Sequence, residues 1–312
     1  MTPSLQYRPF IYVLGPNQDT RLASVAPGTT IEEVLLQTDD DAPFILTGRS
    51  VAYAWTSSLT QANLQGLKTR WTGPKRDYRM QDYLLESLQS VYYGQWGTPK
   101  RVAPGIPFPT RSILMLDLKN TGANTITNLS FYWFGFKAFP LGAVPAYTYP
   151  RRMASQTFVY PVPVTTLGVS ETRVDQIFSV KPKADFVIRA GQGIEMFSTA
   201  GRTLAQVSIR LKDFAKNPYM SDYVPFSVLF GSGNPPSAFP VGPSSNFISP
   251  FGTGPGQPGV LYPEIYVPAN HQLLYDIQRA DGAGGSNQAE SFVFNLIGSE
   301  VYDSSRLGRA NK

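Results

Sequence analysis

Apolar residues in this chain recur in short runs with a two-residue period, the spacing of side chains on one face of a strand. Two runs dominate. Ile113–Gly122 is almost continuously apolar up to Asp117 and then alternates through Leu118 and Lys119, while Leu129–Phe139 is aromatic along most of its length. Asn120–Asn124 between them contains the Gly and Asn that tolerate positive φ, so the pair is expected to close as a hairpin. The plan returns near the C-terminus, where Gln272–Arg279 leads through Asp281–Gly285 into Ser291–Tyr302.

Shorter signals fill the rest. Residues 1–28 read as an extended, Pro-punctuated arm with one short strand at Phe10–Leu14. Thr30–Gln37 is assigned to strand, although its leucines also fit a helical turn. Asp39–Asp41 reads as a turn. Pro43–Leu46 and Val51–Trp55 are expected to form another hairpin around Thr47–Ser50. Met80–Tyr93 is where helix competes, with Leu84, Leu85, Leu88 and Val91 at helical spacing. Arg173–Val180, Lys183–Ile188, a turn at Gly191–Gly193, Ile194–Phe197 and the alternating Leu204–Leu211 follow.

The two halves correspond in order. Phe44 matches Phe186, Met80–Tyr83 matches Met220–Tyr223, Asp117 matches Asp276, and Gly135 matches Gly298. The separation is 142 and 140 residues for the first two pairs, then 159 and 163 for the last two. One expanded loop in the second half accounts for the jump, as in a tandem duplication. Each half is then long enough for its own core of about eight strands, the size of a jelly roll. The expected fold is all-β, two tandem jelly-roll-like β-sandwich domains over 1–148 (with the N-terminal arm) and 149–312 (with the Pro/Gly-rich loop 231–262).

Composition agrees. Of 312 residues only 16% are charged and 13% are aromatic, with 27 Gly and 27 Pro. Proline is expelled from helix interiors, so this balance favours strands and turns. There is no Cys, which removes disulfides and thiolate chemistry, and the net charge of +5 is modest for a nucleic-acid binder. The N-terminus has no apolar signal region, and no run is long enough for a membrane-spanning helix. The protein is therefore expected to be soluble and assembled in a cytoplasm.

Candidate chemistry is sparse. The single histidine, His271, reads as a loop or strand-edge residue. Asp117 and Asp276 could in principle pair as acid and base, yet acids inside strands more commonly bond nearby loop amides at a sheet rim. Asp39–Asp41 lacks the spaced oxygen ligands of a calcium loop. Gly252–Gly256 is interrupted by Pro255 and precedes no helix, so it does not make a phosphate loop. No catalytic residue, cofactor or metal site is assigned. Phe239, Phe247, Phe251 and Tyr262 punctuate the long loop and suit an arm packed on a neighbouring subunit. Arg76 and Arg79, with Trp71 interleaved in the basic run from Lys68, are further interface candidates that could also touch nucleic acid weakly. The basic tail at Arg306, Arg309 and Lys312 could do the same.

The Pro-containing lead-in, the strand ending Asp117–Asn120, the polar turn and the aromatic strand closing at Phe134–Phe139 resemble structural proteins of bacterial viruses. Two successive jelly rolls are similar to the double jelly-roll capsid proteins of tailless, membrane-containing phages, in which two barrels stand side by side and three chains form a capsomer. That resemblance implies a non-enzymatic virion protein that forms or decorates a capsid by packing against copies of itself, as a trimer or larger, and against other virion proteins. An alternative is a carbohydrate-binding receptor, tail or collar module using Trp71 and Trp96 as stacking platforms.

Overall fold

The structure is a computed structural model and describes residues 5–52, 66–73, 82–85, 91–92, 100–140, 153–180, 184–195, 207–225, 229, 259–279 and 289–303. The first set of strands is β1 (Leu5–Leu14), β2 (Ser24–Val25), β3 (Thr30–Gln37), β4 (Phe44–Ala52), β5 (Leu67–Trp71), β6 (Leu84–Leu85), β7 (Val91–Tyr92), β8 (Lys100–Phe108), β9 (Ile113–Asn120), β10 (Ile126–Thr127) and β11 (Ser130–Pro140). The second is β12 (Met153–Leu167), β13 (Thr172–Ser179), β14 (Asp185–Glu195), β15 (Val207–Lys212), β16 (Val224–Pro225), β17 (Gly259–Val267), β18 (Gln272–Arg279) and β19 (Glu290–Asp303). A 3-10 turn at Thr20–Ala23 is capped by Asp19, whose carboxylate accepts the Arg21 N–H.

In the first set, one sheet runs β1-β11-β4 with β8 and the short parallel β7 both pairing β4, and the other runs β3-β9-β5-β6. Alternation decides what each sheet buries. Phe10, Tyr12 and Leu14 of β1 join Phe131 and Trp133 of β11 against Leu114, Leu116 and Leu118 of β9 in one core. Apart from the short β7, the second set repeats this order: β12-β19-β14-β17 in one sheet and β13-β18-β15-β16 in the other. Its core gathers Phe292, Phe294 and Leu296 of β19 against Leu273, Tyr275 and Ile277 of β18. Each set thus buries a core between two sheets, in the manner of a β-sandwich. The β2–β10 ribbon belongs to the first set.

Irregularities repeat as well. β4 carries one extra residue at Thr47, where its register with β11 shifts against Phe134 and Gly135. β14 carries one at Arg189, where its register with β19 shifts against Ile297 and Gly298. A bulge twists and bends its strand, so the two sheets curve at the same place. The glycines there are obligatory. A Cβ on Gly135 would lie 2.0 Å from the Ile45 carbonyl oxygen, and one on Gly298 would lie 1.9 Å from that of Val187.

Several expectations are overturned. The aromatic hairpin is not a hairpin: β9 and β11 lie in different sheets, as do β18 and β19. Their apolar faces meet across the core instead of pairing edge to edge, which buries more of both. The turns expected at Thr47–Ser50 and Gly191–Gly193 are strand, because glycine in a strand also permits a bulge or a close backbone approach. The arm is shorter than expected, since β1 pairs β11 from Leu5 opposite Pro140 to Leu14 opposite Phe131. Within Met80–Tyr93 the described pairs Leu84–Leu85 and Val91–Tyr92 are strand. The long loop ends earlier than residue 262, because Gly259 and Val260 already pair with Gly191 and Ala190.

Replacing Gly135 or Gly298 with Ala is expected to cost about 2–3 kcal/mol or more, the scale of overpacking a dense interior. Chemical denaturation of each variant measures it, and an unchanged midpoint would contradict the close approach.

Candidate functional site

The two strand acids sit in the middle of their sheets rather than at a rim. Asp117 is 1% exposed and Asp276 is 2% exposed. Each faces a bulge on the neighbouring edge strand whose residue has positive φ, Glu33 at 56° and Asp175 at 51°. The Glu33 N–H donates to Asp117 Oδ1 at 2.8 Å, and the Asp175 N–H donates to Asp276 Oδ1 at 2.8 Å. From the strand on the other side, Arg70 Nε reaches Asp117 Oδ2 at 2.9 Å and Lys212 Nζ reaches Asp276 Oδ2 at 2.6 Å. The Arg70 guanidinium also lies over the Tyr83 ring, 4.7 Å from its centroid. One carboxylate thus ties three strands together and compensates a left-handed backbone. Lys212 is also bonded to Asp175, and although burial alone would lower its ammonium pKa, its bonds to Asp276 and Asp175 raise it.

The acidic turn is similarly engaged. Lys137 Nζ pairs with Asp39 at 2.5 Å and Asp41 at 2.9 Å, and it stands 3.9 Å from the centroid of the Phe10 ring. Asp40 pairs with Arg111 at 2.8 Å. In the second set the position of Lys137 is held by buried Glu300, which accepts the hydroxyls of Tyr160 at 2.9 Å and Tyr302 at 2.6 Å. Its charge is opposite. Among the described residues no group of three or more His, Asp or Glu gathers where it could hold a metal ion. His271 closes a turn, its N–H donating to the Pro268 carbonyl and its ring lying edge-on to Phe214.

The most elaborate contact lies where the two sets of sheets meet. β1 and β11 are apolar on both faces, and Ile11, Val13, Tyr132 and Phe134 join the core of the second set. Ile11 also makes a parallel bridge to Met220. Its N–H donates to the Tyr219 carbonyl, and its carbonyl accepts the Ser221 N–H, each at 2.9 Å. The Val13 N–H donates to the Ser221 hydroxyl at 2.9 Å. Arg8 locks the rim: it pairs with Asp213 at 3.2 Å, donates to the Asn217 carbonyl at 2.6 Å and lies 4.6 Å from the Tyr219 ring centroid. Asp213 in turn accepts the N–H groups of Ala215 and Asn217, holding the loop in shape. Each apolar side chain sealed here contributes about 1.5–3 kcal/mol.

The residues singled out from the sequence fall differently. Trp71 lies in the first core, 6% exposed and edge-on to Trp133 at 5.3 Å, so its ring is unavailable as an outward platform. Arg70, within the basic run, is bound to Asp117. Tyr262 is in β17 by its backbone. Phe239, Phe247, Phe251, Arg76, Arg79 and Trp96 lie outside the described residues. Sequence reading missed Arg8, Asp213 and Ser221. Of the matched segments Met80–Tyr83 and Met220–Tyr223, the second lies at this joint and Met80 and Gln81 fall outside the described residues; the Tyr83 and Tyr223 N–H groups each donate to the preceding aspartate at 2.7 Å.

No protein-family model matches the chain, and no curated protein matches it. Among solved structures the chain is similar to the STIV MCP, with 15% identity over 96% of this chain and 99% of that one, at a TM-score of 0.25. It is also similar to a chain from the atomic structure of Sulfolobus Turreted Icosahedral Virus, with 12% identity over 99% and 94% of the two chains and a TM-score of 0.24. A third is a chain of infectious bursal disease virus Gx strain, with 10% identity over 97% and 74% and a TM-score of 0.23. Likeness of this degree carries neither fold nor function across.

Replacing Asp213 with Ala is expected to cost about 3–5 kcal/mol, because Arg8 would stay buried without its counter-charge. Changing Arg8 to Met in the same chain should recover part of that loss, measured by denaturant unfolding. Hydrogen bonds from Lys216 and then Lys212 hold the Asp175 carboxyl below its ordinary range. Its folded pKa is depressed, so its contribution is present at neutral pH and is lost as pH falls below about 4. Thermal unfolding followed from pH 7 to 3 should show that decline, and Lys216→Ala should make it shallower.

Proposed function

We propose that this chain is a non-enzymatic structural protein of a virus particle, built as two jelly rolls (1–148 and 149–312) that descend from one duplicated ancestor and pack against further copies of themselves. The observation that carries the reading is the matching sheet order of the two sets once the short β7 is set aside, β1-β11-β4-β8 with β3-β9-β5-β6 and β12-β19-β14-β17 with β13-β18-β15-β16. Eight strands in two four-stranded sheets, with successive strands crossing between sheets, is the jelly-roll plan, which viral capsid and lectin domains share. The matched bulges at Thr47 and Arg189 and the matched acids Asp117 and Asp276 support common descent, since unrelated sandwiches have no reason to share them.

A role in assembly fits the outer surface. The described titratable side chains reviewed above are committed to holding strands, bulges and the joint. Apolar side chains, meanwhile, stand exposed on edge strands: Leu35 on β3, Val159 on β12, and Val174 and Ile177 on β13. Such edges invite pairing with another chain unless something covers them.

Light scattering coupled to size-exclusion chromatography, with electron microscopy of the eluted species, tests the reading. The expected result is concentration-dependent, symmetric oligomers formed without added ligand. A monomer at every concentration, binding a specific glycan on an array, would favour the carbohydrate-binding alternative instead.

A further inference from the structure

Alternation along β5 and β9 sends Leu67, Trp71, Leu116 and Leu118 into the first core, and it turns Lys68, Arg70, Asp117 and Lys119 toward the outer side of that sheet. Arg70 stands opposite Asp117, and two residues along Lys68 stands opposite Lys119. The first pair is a salt bridge. The second sets two ammonium groups side by side, and like charges directly opposite each other weaken a sheet.

The chain itself does not offset that repulsion. Among the described side chains, every other lysine and arginine bonds a carboxylate, a hydroxyl or a carbonyl oxygen, whereas Lys68 and Lys119 bond nothing. The two uncommitted cations are thus immediate neighbours. The second set shows that the sheet does not need them. There, two residues from Arg210 and Asp276, the corresponding pair is Ser208 opposite Gln278, both neutral.

We infer that the outer face of the β3-β9-β5-β6 sheet docks an acidic segment of a different protein, one carboxylate of which takes the Lys68 and Lys119 ammonium groups on its two oxygens. The inference holds whether or not the chain assembles with its own copies. Charge fixes where the acid sits. Thr30, opposite Lys119, adds an exposed hydroxyl to the row, but the exposed Glu32 and Glu33 repel an anion from the rest of β3 and direct it over β5 and β9.

An apolar pair on the same face selects polypeptide over nucleic acid. Four residues along β9 from Lys119, half-buried Met115 stands opposite Leu35, which is 51% exposed. Four strand residues span about 14 Å, so an extended segment with an acid and an apolar side chain four residues apart reaches both places. Phosphates offer nothing to Leu35 and Met115, and two free cations are few beside the roughly six to ten phosphate contacts of a strongly salt-dependent DNA binder. The second set keeps the apolar pair, as Ile177 opposite Leu274, without the lysines. Charge therefore distinguishes two otherwise similar faces.

The probe is a fluorescent ten-residue peptide with two neighbouring Glu and a Leu four residues beyond the second, in a Gly/Ser background, followed by anisotropy at low ionic strength. Lys68→Ser with Lys119→Gln installs the pair that the second set already carries, so the variant is expected to fold and to melt no lower than wild type. Its affinity for the peptide should fall about fivefold or more, the scale of two exposed ion pairs. Changing the two Glu to Gln, or the Leu to Ser, should weaken binding to wild-type chain. Wild-type chain that does not bind the peptide, or a double variant that binds it equally, would overturn the inference. Tighter binding of a twenty-nucleotide single strand, lost in the double variant, would overturn it in favour of nucleic acid. Light scattering that shows wild-type oligomers and a monomeric double variant would overturn it in favour of a second copy on this face.

Discussion

A strand pair that is apolar on both faces cannot be left in water on either. β1 and β11 are such a pair: Phe10, Tyr12, Phe131 and Trp133 face the first core, while Ile11, Val13, Tyr132 and Phe134 face the second. The alternation that makes an ordinary sandwich strand half polar is missing here, and the sheet must be enclosed from both sides. That requirement organises the molecule. It fixes the second set of sheets against the first, and it makes the joint a continuation of a core rather than a contact between two finished surfaces. The backbone bonds from Ile11 to Tyr219 and Ser221 add direction to what burial alone would leave free to slide.

Around that shared sheet, polar chemistry serves geometry. Asp117 and Asp276 each spend one oxygen on a left-handed bulge and the other on a cation from the next strand. A positive φ at a residue with a side chain is strained, and it persists only where its surroundings over-determine it. A buried carboxylate bound on both sides supplies that constraint. The edge strands β3 and β13 are therefore bent at a defined residue, Glu33 in one and Asp175 in the other.

Much of this was legible in the sequence, and the failures have physical causes. The order of Phe44, Asp117 and Gly135 against Phe186, Asp276 and Gly298 survives into matched three-dimensional positions, because each marks a bulge or a close approach that tolerates few alternatives. Strand pairing was misread where two apolar strands follow one another across a polar turn. Period-two patterning says which face is buried and is silent on whether the next strand pairs with this one or packs over it. The glycines at 48 and 191 looked like turns because a bulge and a turn ask the same permissiveness of the backbone. Trp71 was read from its basic neighbours, but alternation along Leu67–Trp71 turns its ring inward while Lys68 and Arg70 face the other way. Arg8 could not have been identified from its surroundings in sequence, since its partner is more than two hundred residues away.

The charge reversal between Lys137 and Glu300 bears on how two sets of sheets with matching strand orders avoid exchanging strands. Lys137 is held by Asp39 and Asp41, whereas Glu300 is held by the hydroxyls of Tyr160 and Tyr302. Seating β19 where β11 belongs would set Glu300 beside two aspartates, and seating β11 where β19 belongs would leave the buried Lys137 ammonium without its carboxylates. Domains of similar build are prone to that exchange, and like charges brought together oppose it. The two long strands thus carry opposite keys, each fitted to the sheet in which it lies.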